Sequence, residues 1–459
     1  MRSASTASAG QAWISLLGML IVIAVGYWLW QKQAAVEPQG EEVAMEQSLS
    51  NGGRTRTAAN DAEASSQSTG GQTTSGNEEL KQVNQLGLQA MKEERYSDAV
   101  EHFRQAIELS PNDPVLPINL ARALSAEALR LMNAGYVRQA ESLLQEAVQT
   151  DLDQGYSQSR LAQAWLRLGR RQQAAHLVEG VRQQFPNCVP AWKTSAEIAF
   201  ADGELNDAVS AMEKVAELLP EDQAMQQRLS FFRREQQMLA SFLRVRSTRF
   251  DCMYDANNAA IQPHLQQLLL DLEAASDAVN AQLGLQPLDR LLVLLLSPDD
   301  YRSGAPNWSN GLYDGRIRVP FDGSSPPNEG LRATFRHEYT HAALHRVGPS
   351  IATWLHEGLA QWVEGGSGSA AADYLRSQAK PLPTLGQLQG NWTQISSAAQ
   401  VRGYYAYALS LTSWLSKQYG DASLAQLVQA MQHQGQEEAF VATFGMDTAE
   451  LDRRHRQQL

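Results

Sequence analysis

A repeat with a period of 34 residues constrains this chain more than any other feature. Pro111, Leu152, Pro186 and Pro220 occupy equivalent positions, and the intervals between them are 41, 34 and 34 residues. Small residues recur before each position, which lets two antiparallel helices pack closely, and proline ends the second helix. The longer first interval predicts a longer helix around Val115 to Asn133. We therefore expect an array of helix pairs in the middle of the chain.

The first repeat carries the clearest pattern. Its characteristic residues are Leu86, Gly87, Ala90, Tyr96, Ala99, Phe103, Ala106 and Pro111. This set resembles the tetratricopeptide repeat (TPR), with four units over Glu79 to Pro220 and Glu221 to Val245 as a capping helix. A generic helical bundle is the alternative, and the recurring period weighs against it. The resemblance implies a concave surface that binds a peptide segment or a protein partner.

An apolar run near the amino terminus predicts a membrane anchor. Ala12 to Trp30 contains 19 uncharged residues, enough for a helix to cross the hydrocarbon core. A cleavable signal peptide is the alternative, but Lys32 to Pro38 lacks a small-residue cleavage site. The positive charge at Arg2 places the amino terminus in the cytoplasm. We therefore expect a single-pass membrane protein with its catalytic body outside the cytoplasm, which in a bacterium means the inner membrane facing the periplasm.

Composition narrows the kinds of partner and site. The chain has 50 acidic and 38 basic residues, and its net charge of -12 argues against a nucleic-acid partner. The stretch from Gln33 to about Asn77 is rich in Ser, Thr, Gly, Gln and Ala, which predicts a disordered tether. Cys188 and Cys252 are the only cysteines. A disulfide between them is disfavoured because they fall in different predicted domains, so a metal would need His and carboxylate ligands.

The hydrophobic pattern changes after Arg246. Thr248 to Tyr254 and Arg290 to Leu296 predict strands, and Ala259 to Leu283 predicts a helix between them. Asn310 to Pro320 predicts a hairpin around an Asp-Gly turn. Its strand at Arg316 to Val319 is expected to form the edge of a substrate cleft. The chain after Asn328 is predicted to be mostly helical.

The helix that begins after Asn328 contains the motif His337-Glu338-Tyr339-Thr340-His341. Residues four apart share a helix face, so His337 and His341 can bind one Zn²⁺ while Glu338 reaches a metal-bound water. A second helix follows over Trp354 to Glu364 and can supply a carboxylate as the third ligand. On that helix Glu357, Gln361 and Glu364 share one face, and Glu364 is expected to be solvated.

These motifs resemble those of the gluzincin metallopeptidases, in particular the peptidase MA-like group. The marks are the His-Glu-x-x-His helix, the Trp-Leu-x-Glu-Gly segment that ends at Gly358, and Tyr405-Ala406 at the start of a later helix. The resemblance implies His337, His341 and Glu357 as zinc ligands and Glu338 as the general base. It also implies that Tyr405 stabilises the oxyanion, with a tyrosine packed in the core as the alternative reading.

Several assignments within this site stay open at the level of sequence. Tyr404 and Tyr407 lie close enough in sequence to compete with Tyr405, and His356 is an alternative to Glu357 as ligand. His345 lies too far from His337 along the helix to share its ion. Many gluzincins have an acidic or small polar residue four positions after the glutamate ligand to orient a zinc histidine. This chain has Gln361 there, which puts metal affinity in doubt.

The sequence therefore predicts a multidomain chain with a single amino-terminal transmembrane helix, an all-α TPR superhelix and an α+β zincin-like domain. The expected ranges are 1–31 for a cytoplasmic stub and anchor, 32–77 for the linker, 78–245 for the repeats and 246–459 for the peptidase. The expected function is zinc-dependent hydrolysis of extracytoplasmic protein substrates recruited by the repeats. The alternative is a catalytically silent TPR scaffold with a peptidase-like domain.

Overall fold

The structure, a computed structural model, describes residues 73–149, 155–304, 311–348, 351–378, 381–390 and 397–459, together with Trp392 and Ile395. The described residues separate into two compact units. The first unit comprises the described residues up to Phe200 together with Glu204–Arg234. The second unit comprises Ala201–Gly203 and the described residues from Glu235 to Leu459.

The first unit consists of paired helices. They are α1 (Thr73–Lys92), α2 (Tyr96–Leu109), α3 (Leu116–Asn133), α4 (Val137–Val148), α5 (Tyr156–Arg167), α6 (Arg171–Gln184), α7 (Val189–Asp202), α8 (Leu205–Leu218) and α9 (Gln223–Met238). The last residues of α7, and α9 from Glu235 onward, belong to the second unit. The alanines of the repeat pattern allow close packing, since Ala90, Ala99 and Ala106 are fully buried. The long helix predicted from the first interval is α3, with 18 residues.

The predicted capping helix is too long at its carboxyl end. α9 ends at Met238, and residues 242–245, which were predicted to be helical, lie in strand β1 (Phe242–Arg246) instead. This strand pairs antiparallel with a later strand, from Phe242 opposite Asp255 to Arg246 opposite Asp251. Pairing with the segment that follows it in the chain overrides the local helical pattern, which sequence periodicity does not register.

A mixed sheet of five strands lies in the second unit. Besides β1, its strands are β2 (Phe250–Asp255), β3 (Leu291–Leu296), β4 (Leu312–Tyr313) and β5 (Ile317–Pro320). Their order is β1-β2-β3-β5-β4, with β2, β3 and β5 parallel and with β1 and β4 antiparallel at the edges. β3 is buried at all six positions, as is usual for a parallel strand that is covered on both faces.

Helices complete the second unit. They are α10 (Leu265–Leu283), α11 (Pro298–Gly304), α12 (Glu329–Val347), α13 (Thr353–Glu364), α14 (Gly368–Ser377), α15 (Leu385–Leu388), α16 (Ala398–Tyr419), α17 (Asp421–Ala430), α18 (Gln436–Phe444) and α19 (Thr448–Arg456). One hydrophobic core joins the sheet to these helices, and it includes Val293 of β3, Phe335 of α12 and Leu359 of α13. This core holds α12 and α13 beside the sheet.

The predicted membrane-spanning element is corrected by the structure. Within the described ranges, no helix is both long and apolar enough to cross a bilayer. The long helices there carry polar and charged residues, as α12 does with its arginines, glutamates and histidines. The segment predicted as an anchor, Ala12 to Trp30, lies outside the described residues. The predicted fold class with a transmembrane helix and the predicted single-pass location are therefore not retained. The described fold is mostly helical, with TPR-like pairs and a second unit built on the mixed sheet.

Candidate metal centre

Helix α12 begins at the position that the sequence indicates. The side chain of Asn328 accepts a hydrogen bond from the backbone N–H of Leu331 at 3.0 Å, which caps the first turn. Glu329 follows in that turn, where a negative charge favours the helix dipole. His337, Glu338 and His341 lie further along α12 and are 6%, 2% and 2% exposed. The motif is therefore buried on a regular helix.

Helix α13 brings a carboxylate to the two histidines. Glu357 is 1% exposed, and its Oε2 lies 3.8 Å from Nε2 of His337 and 3.9 Å from Nε2 of His341. Each of the three residues offers a ligand atom within 4.8 Å of the others. Such spacing is close to that of ligands arranged around one tetrahedral Zn²⁺, where each bond is about 2 Å long.

The donor atoms of this group fit a divalent cation. Nε2 of His341 and Oε2 of Glu357 are buried and form no hydrogen bond within the described part of the protein. Buried polar atoms in proteins almost always have a partner, so two such atoms that face each other indicate a bound ligand. Two histidines and one carboxylate leave one tetrahedral position open, as catalytic zinc requires.

Burial also changes the proton affinity of the carboxyl groups. It raises the pKa of both Glu338 and Glu357 to about 8, although the charge of His337 opposes the shift. It lowers the pKa of His341 well below the ordinary value, which favours the neutral imidazole that binds metals. A cation beside Glu357 would favour its ionised form.

Glu364 has a role in this centre that sequence reasoning missed. Its Oε2 lies 2.8 Å from Nδ1 of His337, whereas Glu357 approaches the Nε2 atom of the same ring. Burial lowers the pKa of His337, but the carboxylates of Glu364, Glu338 and Glu357 together outweigh that effect and raise it to about 9. Such a partner fixes the ring orientation and makes it a more basic ligand. The expectation that Glu364 is solvated is therefore wrong.

Gln361 does not take the orienting role that its position suggested. Its Nε2 donates to the backbone carbonyl oxygens of Glu357 and Tyr405, at 3.1 and 3.3 Å. The amide therefore connects α13 to α16. The carboxylate that contacts His337 is that of Glu364, about one turn later.

The remaining histidines lie outside the ligand group. Nδ1 of His356 lies 3.1 Å from Nδ1 of His341, and the two rings stack with centroids 5.4 Å apart. His356 is thus placed behind His341, whereas Glu357 lies with the ligand atoms. His345 packs its ring against Tyr313 of β4, with centroids 6.1 Å apart.

The edge of the sheet beside the motif is β4. The hypothesis that Arg316 to Val319 forms the cleft edge is corrected by the strand order, because β5 lies between β3 and β4. Gly311, which precedes β4, lies directly against Glu338: a Cβ there would overlap Oε1 of that carboxylate. The backbone at the start of the edge strand thus approaches the candidate general base as closely as glycine permits.

Three tyrosines of α16 differ in the groups that they contact. The hydroxyl of Tyr404 accepts a hydrogen bond from Gln400 at 2.9 Å, and the hydroxyl of Tyr407 donates to Asp452. Tyr405 is 2% exposed and contacts the ring of Trp392 edge-on, at 5.0 Å between centroids. Its backbone carbonyl accepts from Gln361, so this part of α16 packs on the helix that carries Glu357.

A family comparison agrees with this arrangement of helices. Residues 328–459 match the model described as Peptidase MA superfamily, and residues 83–113 match the tetratricopeptide repeat model. The chain thus contains a peptidase MA superfamily domain. The repeat match confirms the prediction of a tetratricopeptide repeat at the first predicted unit. The peptidase MA match covers the two helices of the metal centre and all of the chain that follows them.

The chain was also compared with curated proteins and with solved structures. No curated protein matches the chain. One similar solved structure is described as the MamA RS-1 ArsTM double mutant, at 18% identity over 34% of this chain and 84% of that one, with a TM-score of 0.28. Another is TTC0263, a thermophilic TPR protein in Thermus thermophilus, at 19% identity over 33% and 98% of the two chains, with a TM-score of 0.24.

Proposed function

We propose that the peptidase MA domain is a zinc-dependent metallopeptidase that hydrolyses peptide bonds in protein or peptide substrates. The observation that carries the proposal is the buried group of His337, His341 and Glu357 beside the carboxylate of Glu338. The family match to a peptidase superfamily supports the same activity. Zinc is the metal that this donor set suits best, since two imidazoles and one carboxylate recur in catalytic zinc sites.

The residues of this site would have separate roles in peptide hydrolysis. Zn²⁺ in this site would polarise the scissile carbonyl and lower the pKa of an attacking water. Glu338 would accept the proton of that water and transfer it to the leaving amine. Burial raises the pKa of Glu338, and the positive charge of a bound cation would favour its ionised form, which is the form that accepts a proton. Glu364 would hold His337 in the orientation that binds the metal through Nε2.

The edge strand β4 would bind an extended substrate. An exposed strand edge offers backbone N–H and C=O groups that pair with a peptide. Among the described strands β4 pairs with β5 alone, on its inner side, and Gly311 at its start contacts the carboxylate of Glu338. A peptide paired along β4 would therefore bring its backbone next to the proposed general base.

Tyr405 is the proposed donor to the oxyanion. A tyrosine hydroxyl can stabilise the negative charge that develops on the scissile carbonyl oxygen. Tyr405 belongs to the Tyr-Ala pair that carries the family resemblance, and it lies on the part of α16 that contacts α13 through the hydrogen bond from Gln361 to its backbone carbonyl.

Replacing Tyr405 with phenylalanine removes only the hydroxyl. We expect kcat to fall by about 100- to 1,000-fold with zinc content unchanged, because one oxyanion donor is lost. The Tyr404→Phe variant is the matched control and should retain nearly full activity. Equal activities of the two variants in a peptide-hydrolysis assay would assign Tyr405 to the core alone.

The TPR units would bind a protein partner or the substrate itself. The described helices α1 to α8 follow one another along the chain, and one repeat among them matches the tetratricopeptide model. Tandem repeats of this kind stack into arrays with a concave binding surface. The repeats would bring a protein to the chain, and the peptidase MA domain would act on it. The competing proposal is a scaffold that binds partners through the repeats without hydrolysis.

Metal analysis together with an activity assay separates these two functions. We expect about one zinc ion per chain and a peptide hydrolysis that a chelator abolishes and added zinc restores, since the buried ligand group cannot act without its metal. A preparation that holds no zinc and cleaves no peptide, while still binding a partner through its repeats, would favour the scaffold.

A further inference from the structure

Four charged side chains are buried together beneath the β4–β5 hairpin. Nη2 of Arg316 and Nη2 of Arg318 each lie 2.8 Å from Oε2 of Glu235. Asp314, in the turn of the hairpin, accepts from Nε of Arg318 at 2.8 Å and lies 3.4 Å from Nη2 of Arg316. The four side chains, here called the hairpin charge cluster, are between 0% and 13% exposed.

The charges of the cluster balance. Burial alone would raise the pKa of Asp314, but the two guanidinium groups outweigh it and hold the pKa at about 2. The same two arginines lower the pKa of Glu235 against the effect of burial. Two carboxylates therefore face two permanently charged arginines in a site from which water is excluded.

Such a cluster contributes to position more than to net stability. Transferring four charges from water into the protein interior costs free energy. Their mutual attraction offsets this desolvation cost only when the hydrogen-bond geometry is good. The loss of one member is then strongly unfavourable, because it leaves a buried charge without its partner. Glu235 is distant from the hairpin in sequence, so its carboxylate fixes where the two arginines of the hairpin can lie.

The position of the β4–β5 hairpin determines where the edge strand β4 lies relative to Glu338. Arg318 stands opposite Leu312 in the register of β5 and β4, and Ile317 stands opposite Tyr313. Gly311, the residue before Leu312, contacts the carboxylate of Glu338. A displacement of Arg318 would therefore move the edge strand relative to the proposed general base.

We propose that Glu235 is a positioning residue for substrate: through Arg316 and Arg318 it holds the edge strand β4 at the distance from Glu338 that an extended peptide requires. This inference rests on the proposed peptidase function and extends it to the substrate class. The preferred substrate is an extended peptide long enough to pair with β4. Glu235 itself contacts no reacting atom.

The Glu235→Gln variant tests this role. We expect KM for an extended peptide to rise on the order of 10-fold, because a small misplacement of a binding edge weakens alignment of the substrate. The value of kcat at saturation and the zinc content should remain those of the wild type. A short chromogenic substrate that does not reach β4 should show no change in KM. Hydrogen exchange at residues 312–320 should become faster.

A matched control and a second variant keep the test decisive. Glu273 is also a half-buried carboxylate paired with an arginine, Arg249, but it lies outside the hairpin. Glu273→Gln should leave both KM and the exchange at residues 312–320 unchanged. If Glu235→Gln does not fold, Arg318→Lys replaces it, since it retains the charge but loses the hydrogen bonds to both carboxylates, and the same changes are expected.

Three results would overturn the inference. They are an unchanged exchange rate at residues 312–320, an unchanged KM for the extended peptide, and an equal loss of activity on both substrates, which indicates a general structural defect. A wild-type chain that holds zinc but cleaves no peptide would overturn the proposed function instead. The exchange measurement would then still decide whether Glu235 holds the hairpin.

Discussion

The Glu338→Gln variant is expected to bind zinc as the wild type does and to lose hydrolysis by about 100- to 10,000-fold. The amide is close in size to the carboxylate, so it should fit between α12 and the backbone of Gly311 without displacing either. It cannot accept a proton from water, and this is the step that the mechanism assigns to Glu338. The measurements are kcat on a peptide substrate and zinc content by elemental analysis of the same sample.

A control on the same helix tests whether the loss is specific to that position. Glu329 is an acidic residue in the first turn of α12 whose side chain is 70% exposed and pairs with Arg336. Glu329→Gln should leave kcat within about twofold of the wild type, since surface ion pairs contribute little. Undiminished hydrolysis by Glu338→Gln would rule out the proposed mechanism.

Loss of the proposed third ligand, unlike the Glu338→Gln change, should reduce zinc binding as well as hydrolysis. Glu357→Ala is expected to abolish both zinc binding and hydrolysis, because two histidines alone do not form a closed set of ligands. The loss of zinc affinity should exceed the roughly 10- to 100-fold that is typical when a partner of a ligand is removed. Zinc titration against a competing chelator measures this affinity directly.

His356 provides the comparison for Glu357. Because it contacts His341 at 3.1 Å without lying in the ligand group, His356→Ala should weaken zinc binding only about 10- to 100-fold. The larger loss is thus expected at Glu357. If His356→Ala lost more zinc affinity than Glu357→Ala, His356 would be the third ligand and Glu357 would be a residue that supports the site.

The helices of the metal centre are predictable from sequence because their signals are local. Asn328 caps α12, and His337 and His341 share a face by the geometry of the helix itself. Glycine at position 365, with φ of 100°, ends α13 where the Gly-Gly pair predicts it. Each of these features depends on residues within a few turns of one another.

Features that depend on distant segments were not predicted. Whether β5 or β4 lies at the sheet edge depends on pairing between segments, and the local alternation of residues is the same in either case. The partner of His337 depends on how α13 lies across α12, although Glu364 does lie on the same helix face as Glu357. That shared face was the signal that could have identified Glu364.

The glycine that follows the proposed ligand has a consequence for recognising related chains. A Cβ at Gly358 would overlap the hydroxyl of Thr412 and lie 2.7 Å from the carbonyl oxygen of Ala408, so this glycine sets the approach of α13 to α16. Its role is in packing and is independent of any metal. In a genome survey, a relative that has lost Glu357 but retained Gly358 would keep the packing of α13 against α16 and would still be classified with the peptidases. Activity should therefore be assigned to such relatives from the glutamate and the two histidines, whereas the glycine reports only that the fold persists.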